Sequence, residues 1–155
     1  MEIERKFLIK SLPDNLESYS FHQMEQGYLC TEPVVRIRRQ DETYYLTYKS
    51  KGLMMREEYN LPLTKEAYLH LLPKIDGLLI VKKRYLIPLS SGLTVELDIF
   101  EGELAPLILA EVEFQTEEEA NAFIPLEWFE QEVTHSVKYH NSFLSQKGKR
   151  EVVTM

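Results

Sequence analysis

Near the start of the chain, Glu2-Ile3-Glu4-Arg5-Lys6-Phe7-Leu8-Ile9 alternates charged and apolar side chains. In an extended strand successive side chains point to opposite faces. This segment therefore sets Glu2, Glu4 and Lys6 on one side and Ile3, Phe7 and Ile9 on the other. The same period returns along the chain. Arg36 and Arg38 oppose Val35 and Ile37, Thr47 and Lys49 oppose Leu46 and Tyr48, and Arg56 and Glu58 alternate with Tyr59. Lys82 and Arg84 oppose Val81 and Tyr85, with Lys83 out of pattern. Glu96 and Asp98 oppose Val95, Leu97 and Ile99, and Glu111 and Glu113 oppose Val112 and Phe114.

Two explanations compete for these charged rows. An antiparallel sheet with one wet face produces such alternation. Here, however, many of the polar positions are ionisable, and like charges recur at i, i+2, about 7 Å apart on one face. The rows also segregate into cationic strands (Arg36/Arg38, Lys82/Arg84) and anionic ones (Glu2/Glu4, Glu96/Asp98, Glu111/Glu113). A sheet closed into a barrel would gather both sets around one cavity, with the apolar face outward under helices. The period alone leaves both open.

The chain has 155 residues, one ordinary domain, and its 44% hydrophobic and 28% charged residues describe a soluble globular protein. No stretch reaches the roughly 18 to 20 apolar residues that span a bilayer. The charged N-terminus lacks the apolar core of a signal peptide, so the expected address is cytoplasmic, with no membrane partner. Cys30 is alone, which excludes an internal disulfide and any cysteine-built zinc framework. His22, His70, His135 and His140 have no zinc-type spacing. With 18 Lys+Arg against 25 Asp+Glu the net charge is −7, which argues against nucleic acid as a partner. Cations concentrated on a few strands of an acidic protein point instead to a small anionic ligand. No G-x-x-x-x-G-K-[ST] run exists, so a P-loop is excluded.

Candidate strands run over 2–9, 24–29, 34–39, 44–49, 55–61, 79–87, 94–99 and 110–115, with Ser90-Ser91-Gly92 as a hairpin turn. Three helices are predicted. One spans 65–72 after Thr64; a second spans 117–123 with a Thr116/Glu119 capping box; a third spans 125–131 with Pro125 just inside its start. Residues 1–145 form a single domain in this reading, and 146–155 a basic C-terminal tail.

Clustered carboxylates without His or Cys are hard oxygen ligands, suited to Mg²⁺ or Mn²⁺. Paired arginines match phosphate oxygens. Together they suit a polyphosphate whose charge is shared between protein cations and divalent ions.

The residues also resemble a family. Glu2-Ile3-Glu4-Arg5-Lys6 matches the E-x-E-x-K signature of the CYTH superfamily, the triphosphate tunnel metalloenzymes. The likeness continues in order through Gln26-Gly27-Tyr28-Leu29, Val35-Arg36-Ile37-Arg38, Leu46-Thr47-Tyr48-Lys49, Arg56-Glu57-Glu58, Lys82-Lys83-Arg84-Tyr85, Glu96-Leu97-Asp98, Ala110-Glu111-Val112-Glu113-Phe114 and Glu132-Val133-Thr134, then Lys138-Tyr139 and Asn141. It implies an α+β, mainly antiparallel fold: an eight-stranded closed β-barrel, or tunnel, with a charged lumen and helices packed outside. By this resemblance Glu2, Glu4, Glu111 and Glu113 are metal ligands. Lys6, Arg36, Arg38, Lys49, Arg56, Lys82 and Arg84 form the phosphate-binding wall, with Lys138 a further candidate. Glu58, Glu96 and Asp98 are lumen acids, open to binding metal, holding its waters or orienting the cations. Glu4, Lys6 and Glu113 are the expected catalytic residues. Two positions depart from the family: Asn60 where another acid is frequent, and Lys138 where arginine is common.

The implied reaction is metal-dependent hydrolysis of a triphosphate by a metal-activated water, with inorganic tripolyphosphate giving pyrophosphate and phosphate. The competing readings are a class IV adenylyl cyclase, a thiamine triphosphatase and a non-catalytic polyphosphate-binding module. The organic substrates need an aromatic or apolar pocket at the mouth, for which Tyr28, Tyr44, Tyr45 and Met54 are the candidates. The family also implies a homodimer.

Overall fold

The computed structural model describes residues 1–146. Ten strands form one antiparallel sheet: β1 (Glu2–Ile9), β2 (Phe21–Thr31), β3 (Val34–Gln40), β4 (Thr43–Lys49), β5 (Met55–Arg56), β6 (Glu58–Leu63), β7 (Asp76–Pro88), β8 (Thr94–Phe100), β9 (Ile108–Phe114) and β10 (Phe129–Glu132). Their order is β10-β1-β9-β8-β7-β2-β3-β4-β6, and β5 returns to pair with β1. Only Glu57 separates β5 from β6. The two act as one interrupted stave, β6 hydrogen-bonded to β4 and β5 to β1, which brings the barrel nearly to closure. The count of ten corrects the expected eight: the stave expected over 55–61 is split, and β10 is additional.

The interruption has a local cause. The Ser50 amide donates to the Glu57 carbonyl and the Glu57 amide to the Ser50 hydroxyl, so Glu57 bonds back to the β4 exit instead of continuing the ladder. The seam that closes the barrel is short: Glu2 faces Arg56, Ile3 faces Met55, and the Glu4 amide donates to the Met54 carbonyl at 3.1 Å.

The helix expected over 125–131 is not formed. Because β5 covers only the first residues of β1, the rest of that strand has an unpaired edge, and an unpaired edge binds extended chain. Phe129–Glu132 fills it, pairing Ile9 with Phe129 and Phe7 with Glu132, and the Phe7 and Phe129 rings stack at 4.7 Å. The other two helices are present as α1 (Lys65–Leu71) and α2 (Glu117–Ala122). Thr64 and Thr116 cap them, accepting from the Ala67 and Glu119 amides at 3.1 Å. A third, unanticipated helix, α3 (Asn141–Leu144), follows β10. Of the expected tail, everything from residue 147 lies outside the described residues. Among the described residues no helix is long and apolar enough to cross a membrane.

The alternation partitions as the barrel requires. Outward residues of β1, β8 and β9 (Ile3, Phe7, Val95, Leu97, Val112, Phe114) form a core with Ala120 of α2 and Phe129 of β10. A second outer cluster joins Ile37 and Tyr44 to Tyr68 of α1. A third has the parity of the charged rows: Tyr28, Val34, Ile80, Phe100 and Leu109 meet Leu104 and Val133. These residues plug one end of the barrel. The C-terminal segment is tied there, because the Leu78 amide donates to the Ser145 carbonyl at 2.7 Å. Gly77, at φ +81, allows this approach; a side chain there would overlap the same carbonyl.

Candidate active site

The charged rows enclose a cavity of about 120 Å³. From β1 come Glu2, Glu4 and Lys6; from β3, Arg36 and Arg38; from β4, Lys49; from β5 and β6, Arg56, Glu58 and Asn60. The opposite wall supplies Arg84, Glu96, Glu111 and Glu113. The wet-face explanation fails: Glu2, Glu4, Lys6, Arg36, Lys49, Arg84 and Glu111 are each at most 8% exposed.

Most of these charges are already paired. Lys49 reaches Glu2 at 3.0 Å and Glu58 at 3.3 Å, and Arg56 reaches Glu2 at 3.4 Å. Burial alone would raise the Glu2 pKa, but Lys49 and Arg56 hold it at about 2. Arg84 is the hub of the opposite wall: its Nε donates to Asp98 Oδ1 at 2.7 Å and its Nη2 to Asp98 Oδ2 at 2.9 Å, with Glu96 and Glu111 each at 3.4 Å. Lys6 Nζ lies 3.4 Å from Glu111 and donates to the Tyr139 carbonyl at 3.3 Å. Against its burial, Lys6 and Arg84 keep Glu111 well below the usual carboxylate range.

Besides the exposed Glu113, three of the cavity's charged groups form no ion pair among the described residues. The Glu4 carboxylate makes no ion pair among the described residues, and burial, then Glu111 and Glu2, push its pKa to about 8. Among the described residues Arg36 and Arg38 form no ion pair with a carboxylate, and Arg36 Nε and Nη2 and Arg38 Nε are buried without a hydrogen-bond partner. Burial and the repulsion of Arg36 and Arg84 depress the Arg38 pKa, although a guanidinium stays charged at neutral pH.

Not every anticipated residue faces the cavity. Lys82 and Asp98, both 0% exposed, lie behind the wall, where Lys82 Nζ donates to Asp98 Oδ2 at 2.7 Å. Their shared parity with Arg84 and Glu96 is correct, but their depth along the strand puts them next to the apolar plug. Burial brings the Lys82 pKa down to about 8. Lys138 is exposed, its ammonium over the Tyr139 ring at 5.6 Å.

Other residues join the site, and of these the sequence singles out only Tyr28, as a candidate aromatic at the mouth. Asn141 and Ser142 of α3 reach the cavity, and Tyr28 and Val34 line it at the plug end. Behind Lys6, the Thr134 hydroxyl accepts the Lys6 amide at 2.9 Å and donates to Glu132 at 2.6 Å, while Arg5 grips Glu132 at 2.7 and 2.9 Å. His140, buried, binds the Thr134 carbonyl at 2.8 Å through Nε2. Asn141 lay in the quoted motifs, but only tertiary structure brings these C-terminal residues to the barrel.

The donor set was tested for a divalent ion. It is all oxygen, which suits a hard cation, and it contains Glu4, a buried carboxylate lacking a positive partner. Glu111 Oε1 is likewise without a hydrogen bond. Glu2 and Glu111 are engaged by cations, so Glu4 and Glu113 are the pair free to hold an ion. Among the described residues no three candidate ligands stand close enough to enclose one as they are arranged.

A nearly closed antiparallel barrel with buried acids and arginines around a narrow cavity defines a tunnel protein for a small polyanion. Residues 1–142 match the CYTH domain, and the chain belongs to that family. It is 42% identical over 147 residues to an inorganic triphosphatase of Nitrosomonas europaea, covering 93% of this chain and 96% of that one. It is 34% identical over 153 residues to an inorganic triphosphatase of Acetivibrio thermocellus, covering 92% of each. A solved inorganic triphosphatase superposes with a TM-score of 0.70 at 39% identity, covering 94% of each chain. A solved Hippeastrum protein, 19% identical with a TM-score of 0.60, shares the fold alone; 78% of this chain and 83% of that one are covered.

Proposed function

We propose that this protein hydrolyses inorganic tripolyphosphate to pyrophosphate and phosphate with the help of a divalent ion, Mg²⁺ or Mn²⁺. The observation that carries the reading is the pairing pattern of the cavity: among the described residues, the buried Arg36 and part-buried Arg38 form no ion pair, and neither does the buried Glu4. That arrangement suits an anionic chain at Arg36 and Arg38 and a cation at Glu4. The names of the two relatives support it, as does the divalent-metal dependence general to triphosphatases of this family.

An ion held by Glu4 and Glu113, with Glu2 and Glu111 beside them, would offset phosphate charge and polarise a phosphoryl oxygen. The protein's own groups do the positioning. Arg36 and Arg38 bind the phosphoryl oxygens nearest the plug, and Asp98 fixes the guanidinium of Arg84 so that it faces the chain. Lys6, backed by Thr134, binds a further oxygen. Glu113 is the accessible carboxylate that takes the proton of the attacking water; in the metal-free protein burial, then Glu2 and Glu96, raise its pKa. The anhydride bond breaks as water adds to the terminal phosphorus, and pyrophosphate leaves from the arginine end.

The cavity favours an inorganic chain over a nucleotide or thiamine triphosphate. Pockets for organic ligands start at about 300 Å³ and are largely apolar; this one is about 120 Å³, with Tyr28 its one aromatic among the described residues. Of the other aromatic candidates, Tyr44 is buried against Tyr68, and Tyr45 lies on a separate surface groove. Met54 packs on the outer core. The proposal extends to a cytoplasmic address, and to a homodimer, for which exposed Tyr48, Tyr59 and Leu61 on the outer face of β4 and β6 offer apolar surface. Phosphate release from tripolyphosphate, ATP and thiamine triphosphate with Mg²⁺, Mn²⁺ or EDTA tests the substrate. Metal-dependent release from tripolyphosphate far above the other two is expected; cyclic AMP from ATP would replace the reading with a cyclase.

A further inference from the structure

Gln26, in the middle of β2, is 0% exposed, and among the described residues both its amide atoms lack a hydrogen-bond partner. Leaving such a group buried is costly, so its retention calls for a reason. It shares the inward parity of Tyr28, and the sheet register sets it directly opposite Arg38 on β3.

Elsewhere the barrel repeatedly places a carboxylate opposite an inward cation. Arg56 faces Glu2, Lys6 faces Glu111, Lys49 faces Glu58, and Arg84 faces Asp98. In each case the two side chains form an ion pair or share one with a neighbour: Arg56–Glu2 at 3.4 Å, Lys6–Glu111 at 3.4 Å, Lys49–Glu58 at 3.3 Å and Arg84–Asp98 at 2.7 Å. At Arg38 the facing residue is glutamine, the uncharged counterpart of glutamate. Arg36 and Arg84 repel Arg38, Tyr28 and Glu58 offset this only in part, and Arg38 forms no ion pair among the described residues. Arg36, facing Tyr28 and Thr47, and Lys82, facing Met24 and Phe100, also lack a carboxylate directly opposite; at Arg38 the facing residue is a buried amide.

We propose that Gln26 is a positioning residue for the anion site: it keeps Arg38 uncompensated, and so available to a phosphoryl group, while offering an uncharged amide to the same guanidinium. This rests on the reading of the cavity as a polyphosphate site. Glutamate at 26 would complete the cross-strand pattern and take Arg38 from the substrate. An apolar residue would leave the charge but remove the amide that faces it across the strands, a group that forms no hydrogen bond among the described residues and is free to meet the guanidinium when substrate binds.

The test compares wild type with Gln26→Glu and Gln26→Met, alone and with Arg38→Met. It reads KM and kcat on tripolyphosphate, calorimetric binding of tripolyphosphate in EDTA, and the thermal unfolding midpoint. Gln26→Glu is expected to weaken binding and raise KM about 10- to 100-fold, the scale of one hydrogen bond to a charged group. Its kcat should change much less, and its unfolding midpoint should rise as Arg38 gains a partner. Gln26→Met should raise KM about 3- to 10-fold, as for a neutral hydrogen bond, and should add nothing to Arg38→Met, since coupled residues are not additive. Unchanged binding in Gln26→Glu overturns the proposal, as does a Gln26→Met effect that persists in full beside Arg38→Met. If wild type neither binds nor hydrolyses tripolyphosphate, the functional reading fails, and the midpoint of Gln26→Glu still tests the pairing: a fall overturns it, a rise supports it.

Discussion

Glu4 on β1 and Glu113 on β9 are direct cross-strand partners. Like charges in that position repel, and neither has an ion pair among the described residues. Two steps along the same ladder, Lys6 faces Glu111 and the charges match. The barrel can therefore pair these strands favourably, and at Glu4 and Glu113 it does not.

Stability of the metal-free protein should depend on pH through Glu4. Burial, then Glu111 and Glu2, raise its pKa from 4.5 to about 8, while Lys49 and Lys6 oppose the shift. A carboxyl raised in the folded state favours folding while protonated, so this contribution is complete below about 4.5 and lost as pH rises through about 8. In EDTA, the thermal midpoint should fall across that window. A divalent ion should reverse the fall, and its affinity should increase over the same range because it needs the ionised carboxylate. Calorimetric titration of Mn²⁺ at several pH values checks this.

Asp98 accepts from both Lys82 and Arg84 in full burial, and removing one member of such a group strands the others. Asp98→Asn is expected to cost about 3 to 5 kcal/mol in urea unfolding, with a loss of turnover as Arg84 loses its anchor.

Arg36 should behave in the opposite way. Among the described residues it forms no ion pair, and Glu2 is held chiefly by Lys49 and Arg56 rather than by Arg36, so Arg36→Met should leave the unfolding midpoint unchanged or higher. KM for tripolyphosphate should rise about 10- to 100-fold, the scale of a lost charge-assisted hydrogen bond. Steady-state kinetics beside a melting curve separates the two effects.

Thr134 supports Lys6 from behind, accepting its backbone amide. Thr134→Val leaves that buried donor unmatched, which costs about 1 to 3 kcal/mol, and loosens the Glu132 carboxylate to which Thr134 donates. Denaturant unfolding reads the cost directly.

The charged rows were legible because a period of two is a strong local signal, and closure placed them inward as the family resemblance implied. What parity could not convey is depth along a strand. Lys82 and Asp98 have the inward parity yet lie behind the wall, because the apolar residues Ile80 and Phe100 next to them plug that end. The helix expected over 125–131, with Pro125 just inside its start, gives way to the strand Phe129–Glu132. Its strand conformation is imposed by the exposed edge of β1, which no local pattern contains. Gln26 drew no notice as a site residue because it is uncharged; its meaning depends on the register that sets it opposite Arg38. Asn141, Thr134 and His140 act from a C-terminal segment whose return to the barrel is a tertiary event.

The central claim is that Glu4 is kept buried and unpaired for the sake of an ion and its substrate. Measuring Glu4→Gln for both tripolyphosphate turnover and metal-free thermal stability tests it most directly. The account predicts turnover reduced by about 100-fold or more, the scale of losing a group that stabilises charge in the transition state, with an unfolding midpoint equal to or above wild type at alkaline pH. Turnover close to wild type with Mg²⁺ or Mn²⁺ present would contradict it.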